Sequence, residues 1–369
     1  MLKKVLFISA GAAAFCLVTP PGAAFFFTRG LSGLYALLLA FLFTALFTPL
    51  AVKAALRFNL LDFPAARKIH TRPVPRTGGA AIFTAFLLAS FVVCNFSKEV
   101  GGLLAGLAVV FIAGFLDDLK SNSAFLRLGA QVAASCFLIS AGVYIRIFPE
   151  FPGSLILNYL LTVFWVTGII NAVNFMDGLD GLAAGLGLIS GAAIFAVACG
   201  ANRPELSCLL LAFLGVCAGF LPFNFKPAKI FLGDAGSSVI GYLLAGFSVM
   251  GLWNTSSPVI GFILPVLVLA IPIFDMLLTT FSRIKNGSVS TVKEWLEFTG
   301  KDHFHHRLLN LGFSQKSAVF LLYGLNLILC LLAFAVSLIS EREALLLFLG
   351  AVLLFSLLTS LMRAGRKIV

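Results

Sequence analysis

The chain has 369 residues, of which 60% are hydrophobic and only 11% charged, and its mean hydropathy is +1.06. Water-soluble domains carry about 25% charged residues, so a soluble globular fold is excluded and the composition indicates a chain that dissolves in lipid. The net charge of +11 comes without a basic face interleaved with aromatics outside the membrane-flanking loops, which argues against nucleic acid and for anionic lipid or phosphate partners.

Lys3 and Lys4 precede an apolar run over about residues 5–27, interrupted by Pro20-Pro21. Its charge order resembles a signal peptide, but its length and the apolar sequence that follows favour an uncleaved first helix. Residues 1–30 are therefore set apart from a membrane domain over 31–369. Further apolar runs lie near 31–57, 77–96, 101–116, 125–146, 155–173, 181–200, 205–223, 236–253, 258–281, 317–340 and 344–362. Their lengths approach the roughly 20 residues that span a bilayer. The expected fold class is all-α: a polytopic integral membrane protein of about 11–12 transmembrane helices.

With the N-terminus inside, only Arg29, Lys98, Arg146, Arg203 and Arg342 of the 26 Lys and Arg fall in outward loops. That asymmetry fixes the expected orientation. Every Asp, from Asp62 to Asp302, and all four His also fall on the inner side, whereas the outward acids are all Glu. Solvated faces mix the two acids, so Asp gathered at inner helix ends points to metal or phosphate chemistry. The seven Cys are scattered through apolar runs without a C-x-x-C pair and read as small core hydrophobes. No internal repeat supports an inverted-repeat transporter, although a cation-coupled transporter with intramembrane Asp residues is the rival of another class. No phosphate-binding P-loop or dinucleotide fingerprint occurs.

Several stretches carry chemistry. The first inner loop, Arg67 to Gly79, holds Arg67, Lys68, His70, Arg72 and Arg76 as a cationic rim suited to phosphate, stiffened by two prolines. The same charges could serve only to hold the loop inside. Asp117-Asp118 close the run over 101–116, where like charges oppose each other and the helix dipole; they read as a general base beside a metal-bound phosphate, or as a hydrated helix end. Asn171 to Gly181 places Asn174, Asp177 and Gly181 at helical spacing with Asp180 close by. Such polar groups beside hydrocarbon need pairing, water or metal. In Asn224 to Ser238, Asp234 lies between glycines at an expected helix start, where it can cap the helix or hold a divalent ion. Lys301 to Arg307 gathers His303, His305, His306, Asp302 and Arg307, a set suited to a metal cluster, a proton relay or a pyrophosphate clamp, with spacing that fits no standard zinc pattern. Val292 to Phe298 could lie in the membrane interface.

These motifs, in this order, resemble the polyprenyl-phosphate N-acetylhexosamine-1-phosphate transferase family (glycosyltransferase family 4) over about residues 31–340. The matching pieces are His70 with Arg76-Thr-Gly-Gly79, Asp117-Asp118, Asn171–Gly181, Phe231–Ser237 and His303-Phe-His-His306. The His-x-His-His form resembles the branch that moves GlcNAc-1-phosphate; the muramyl-pentapeptide branch, or one using a modified HexNAc, is the alternative. The resemblance implies transfer of HexNAc-1-phosphate from a UDP-sugar such as UDP-GlcNAc to undecaprenyl phosphate, with release of UMP and dependence on Mg²⁺, with Mn²⁺ as the alternative. It further implies a bacterial plasma (inner) membrane location, a cytoplasmic active site and a possible homodimer. Carried over residue by residue, Asn174 and Asp234 would hold the metal, and Asp117 with Asp118 would deprotonate or position the lipid phosphate. Phe231 would stack on uracil near Asn224, Asp177 and Asp180. His303, His305 and His306 would lie at the nucleotide-sugar, and His70 and Arg76 at the phosphate rim.

Overall fold

The computed structural model describes residues 11–64, 70–120, 123–199, 203–253, 257–291, 294–295, 298, 300 and 302–365, with side chains to residue 357. Lys3, Lys4, Arg67, Lys68 and part of the 292–301 stretch lie outside them. Among the described residues the chain is helical apart from one antiparallel pair, β1 (Leu61–Asp62) and β2 (Val74–Pro75).

Each apolar run corresponds to one helix or to a bent pair. The first becomes α1 (Gly11–Val18) and α2 (Pro20–Thr28), which meet at 68°. Pro20 stands at the start of α2, where its missing N–H costs nothing. Next come α3 (Ser32–Arg57), α4 (Gly78–Val93), α5 (Lys98–Leu119), α6 (Ala124–Ser140) and α7 (Ser154–Phe175). The chain continues through α8 (Leu182–Ala198), α9 (Pro204–Asn224) and α10 (Gly233–Gly251). The run over 258–281 is not one helix. It breaks at Leu269 into α11 (Pro258–Val268) and α12 (Ala270–Lys285), bent by 80°. Pro265 and Pro272 flank the break, and each lacks the N–H that would continue the ladder. The short α13 (Phe304–Asn310), α14 (Gln315–Val336) and α15 (Glu341–Gly365) complete the order.

Five of these helices, α3, α5, α7, α9 and α14, are long and apolar enough to cross a membrane, or seven spans if each bent pair counts as one. The shorter α4, α6 and α8 are also apolar. The protein is a multi-pass membrane protein. Starts of helices carry the expected caps: Ser97, Ser123, Ser257 and Ser314 each accept a backbone N–H from the first turn of α5, α6, α11 and α14.

α10 lies at the centre, buried along almost its whole length from Ala235 to Met250 and packed against α4, α5, α7, α8 and α9. Its N-terminus meets the C-terminal ends of α5 and α7. Asp118 at the end of α5 accepts the N–H groups of Asp234 and Ala235, and Asn174 at the end of α7 donates to Asp234. Asn224 at the end of α9 accepts the N–H of Gly181 before α8. One end of the bundle thus gathers the polar residues, and the core behind it is hydrocarbon.

Candidate active site

At that end lies a cavity of about 750 Å³, within the range of about 300–1,000 Å³ usual for ligand pockets. Its wall is built from four parts of the chain that the fold stitches together. The segment after β2 is tied to the loop before α10 by backbone bonds from Phe231 N–H to Pro75 O (2.8 Å), Gly78 N–H to Phe231 O (3.0 Å) and Gly79 N–H to Leu232 O (2.9 Å). Arg76 and Phe231 thereby reach the cavity from the same side. His70 also lines it, its ring edge-on to Phe231 with centroids 5.2 Å apart and its Nε2 3.4 Å from Asp62 Oδ2.

The spacing of Asn174, Asp177 and Gly181 suggests one helical face. Instead α7 stops at Phe175, and residues 176–181 form a turn that ends on Gly181 in the left-handed region (φ +82°). The turn swings Asp177 and Asp180 into the cavity wall. Asp180 Oδ2 accepts the N–H of Ala228 at 3.1 Å. Asn224 lines the cavity yet uses both ends of its carboxamide in the fold, accepting from Gly181 N–H (3.1 Å) and donating to Ile230 O (3.0 Å).

Asp234, in the first turn of α10, is the hub. Its Oδ1 accepts from Asn174 Nδ2 at 2.9 Å, and its Oδ2 lies 3.5 Å from Arg76 Nη2. Asn174 also donates to Ser237 Oγ at 2.8 Å. Behind Asp234, the Asp118 carboxylate is almost fully buried; it accepts the N–H groups of Asp234 (2.9 Å) and Ala235 (3.0 Å) and Arg76 Nη2 (2.9 Å). Gly233, at φ +71°, lets this carboxylate in: a Cβ there would sit 2.5 Å from Asp118 Oδ2. Burial lowers the pKa of Arg76, but Asp118 and Asp234 more than offset it and the net shift is upward, so the guanidinium stays charged. The carboxyl of Asp177 is pushed well above its ordinary range, first by desolvation and then by the neighbouring Asp234, Asp118 and Asp180.

The structure thus brings Asn174, Asp177, Asp180, Asn224, Phe231, Asp234, His70, Arg76 and His306 to one cavity. It divides the Asp pair. Asp118 supports Asp234 from behind, whereas Asp117 turns onto α6, with Oδ2 2.8 Å from Arg127 Nη1, and does not line the cavity. The His cluster divides as well. His306 reaches the cavity, whereas His303 is bonded to Asp275 and faces Arg283. His305 is buried over Gly178, its pKa held well below the usual imidazole value by desolvation and by His306 and His303. Trp295 packs edge-on to Phe175 and donates to Thr280 Oγ1 (2.7 Å).

Sequence reasoning passed over Arg127, Asp275, Gln315 and Asp62. Asp275 carried a signal, being the one acid within the apolar run over 258–281. Arg127 carried none, because nothing local ties it to Asp117.

The donor set suits a hard divalent cation. Asp234 and Asp177 offer carboxylate oxygens beside the Asn174 carboxamide, and the upward shift of Asp177 marks a place where added positive charge would be stabilising. Among the described residues no group of three or more His, Cys, Asp or Glu encloses a single point. A cation held here would take water or substrate oxygens as its remaining ligands.

Known proteins are similar to this chain over most of its length. The family model described as Glycosyl transferase family 4 matches residues 100–252, the segment holding Asp117 through Asp234. A probable undecaprenyl-phosphate N-acetylglucosaminyl 1-phosphate transferase of Bacillus subtilis is 33% identical over 301 residues, covering 79% of this chain and 82% of its own. Decaprenyl-phosphate N-acetylglucosaminephosphotransferase of Mycobacterium leprae is 34% identical over 324 residues, with 78% and 79% covered. Undecaprenyl-phosphate alpha-N-acetylglucosaminyl 1-phosphate transferase of Escherichia coli K12 is 29% identical over 295 residues, with 76% and 78% covered. With this extent of identity, the chain belongs to glycosyl transferase family 4, the family of polyprenyl-phosphate N-acetylhexosamine-1-phosphate transferases.

Proposed function

We propose that this protein transfers N-acetylglucosamine-1-phosphate, or a closely related HexNAc-1-phosphate, from a UDP-sugar to a polyprenyl phosphate. An oxygen of the acceptor phosphate attacks the sugar-bearing phosphorus of the donor. The P–O bond to the uridylyl half breaks, UMP leaves, and a lipid diphosphate sugar remains. The observation that carries this reading is the convergence of Asn174, Asp234, Asp177 and Arg76 on one cavity that also holds an aromatic ring, Phe231. An anionic diphosphate and a planar base need those two kinds of wall.

Phe231, with His70 at its edge, would face the uracil. Asp234, Asn174 and Asp177 would hold Mg²⁺, which when bound neutralises the diphosphate and polarises its phosphorus. Arg76, held by Asp118, presents a fixed positive charge to the phosphates. Asp117, next to Asp118 but paired with Arg127 outside the cavity, would meet the lipid phosphate on its way in: the guanidinium draws the anion and the carboxylate takes any proton it still carries before the attack. The site is assigned to the cytoplasmic side of the bacterial inner membrane, since the Lys and Arg are concentrated there.

The test is an assay on washed membranes with radiolabelled UDP-GlcNAc, polyprenyl phosphate and Mg²⁺. Labelled lipid and equimolar UMP are expected, and a chelator should abolish both. No labelled lipid and no UMP with any UDP-HexNAc would overturn the reading.

A further inference from the structure

α12 carries a carboxylate in a place that should be costly. Asp275 is fully buried, six residues past the break at Leu269 and between apolar neighbours. Both of its oxygens are used on the segment that follows 19 residues beyond the helix. Oδ1 accepts the N–H of Phe304, the first residue of α13, and Oδ2 lies 2.6 Å from His303 Nδ1. An acid on one helix thus serves the open N-terminal turn of another.

The other side of His303 decides where its proton sits. Its Nε2 is 3.2 Å from Nη2 of Arg283, itself almost fully buried and bonded through Nε (2.8 Å) and Nη2 (2.9 Å) to Asp302. A guanidinium can only donate. Nε2 must therefore carry the lone pair, and the ring hydrogen must be on Nδ1, donated to Asp275. A chain of groups, partly exposed at Asp302 and buried from Arg283 through His303 to Asp275, leaves His303 one tautomer and one orientation. Neither ring nitrogen is then left for a substrate. His306, one turn further along α13, is the histidine that lines the cavity.

We infer that Asp275 is a positioning residue, which fixes His303 in its Nδ1–H tautomer and clamps the first turn of α13 so that His306 faces the nucleotide-sugar. This rests on the proposed function for the identity of the ligand, but not for the clamp itself.

Two measurements test it. The first needs no substrate and no Asp275 variant. With only four His in the chain, nitrogen-15 spectra of histidine-labelled protein in nanodiscs resolve each ring, and His303→Gln identifies the His303 signals. The Nδ1–H pattern is expected at neutral pH; an Nε2–H ring or an imidazolium would overturn the inference even if the proposed reaction is correct. The second is a cycle of Asp275→Asn, His306→Ala and the double variant, read as KM for UDP-sugar and for the lipid separately. Asp275→Asn should weaken kcat/KM for the donor by about ten- to a hundredfold, since a misplacement of about 1 Å can cost about a hundredfold. The lipid KM should not move, and the double variant should be no worse than His306→Ala alone. Multiplicative losses, or a fall in kcat with both KM values unchanged, would mean that Asp275 only holds the fold together. Should the unmodified chain release no UMP from any UDP-HexNAc, the proposed function falls while the spectra still decide the clamp.

Discussion

Adjacent residues of one type can hold opposite jobs, and Asp117 and Asp118 do. Asp118 is spent on two N–H groups at the start of α10 and on Arg76. Asp118→Ala would leave those donors without an acceptor, and the loss of a helix cap with its charged partner costs about 1–3 kcal/mol. A lower unfolding midpoint is expected in detergent, together with loss of turnover. Asp117→Asn keeps an acceptor oxygen for Arg127, which is about one-third exposed although Asp117 is nearly buried, so the midpoint should fall less than in Asp118→Ala; its loss should appear chiefly in turnover with the lipid acceptor. Asp177 makes a third case. Its folded pKa is raised, so the folded chain binds a proton that the unfolded chain releases above about pH 4. Without divalent cation, stability should therefore fall as pH rises from the ordinary carboxylate range through the raised value. Mg²⁺ should restore it at the upper end, and Asp177→Asn should flatten the profile. Melting curves across pH, with and without Mg²⁺, measure all three. A flat profile in the unmodified chain would show that Asp177 is not strained by its neighbours.

Elements meet at the site by close approach, and glycine sets how close. Gly178, in the turn after α7, has His305 of α13 directly above it: a Cβ would lie 2.2 Å from His305 Nε2 and 2.8 Å from Cε1. Gly178→Ala should push the turn and α13 apart at an overpacking cost of about 1–3 kcal/mol, with a rise in donor KM. Adding His305→Ala removes the obstructing ring and should recover much of the midpoint. No recovery would mean that Gly178 is needed for something other than this contact. The turn itself shows what a sequence can and cannot disclose about an element. Asp-Gly-Leu-Asp-Gly was visible as a polar interruption between two apolar runs, and its residues were identified with the site. Their helical spacing suggested a shared face, but α7 stops at Phe175 and the left-handed φ at Gly181, the residue before α8, closes a turn in its place. The break at Leu269 was also unmarked as such, since Pro265 and Pro272 are tolerated inside membrane helices when neighbours satisfy the freed groups. Here Ser190 donates to Val268 O at 3.0 Å from α8, a partner that no local pattern announces.

For the whole molecule, composition and hydrophobic runs were enough to read a multi-pass helical fold, since lipid leaves few other solutions. The pairings that build the site were not legible, because they join residues such as Asp118 and Ala235 across 117 positions and depend on how ten or more helices pack. What the sequence did disclose at this scale is polarity: motif acids at one end of the bundle and few cations at the other. Lys98, at the start of α5, and Arg342, at the start of α15, lie at the sparse end, whereas Arg57 and Lys316 lie beside the loops that build the cavity. All four are exposed and can be probed one at a time. In a chain whose exposed Cys16, Cys136 and Cys199 are replaced by Ser, a membrane-impermeant maleimide applied to intact cells should label Lys98→Cys and Arg342→Cys. Arg57→Cys and Lys316→Cys should react only after permeabilisation. The energetic reason is that moving the cation-rich loops across the bilayer is disfavoured at every turn, so the asymmetry acts collectively and not through any single residue. Labelling of Arg57→Cys or Lys316→Cys in intact cells would invert the topology and place the cavity, with Asp234 and Phe231, on the side where no UDP-sugar is made.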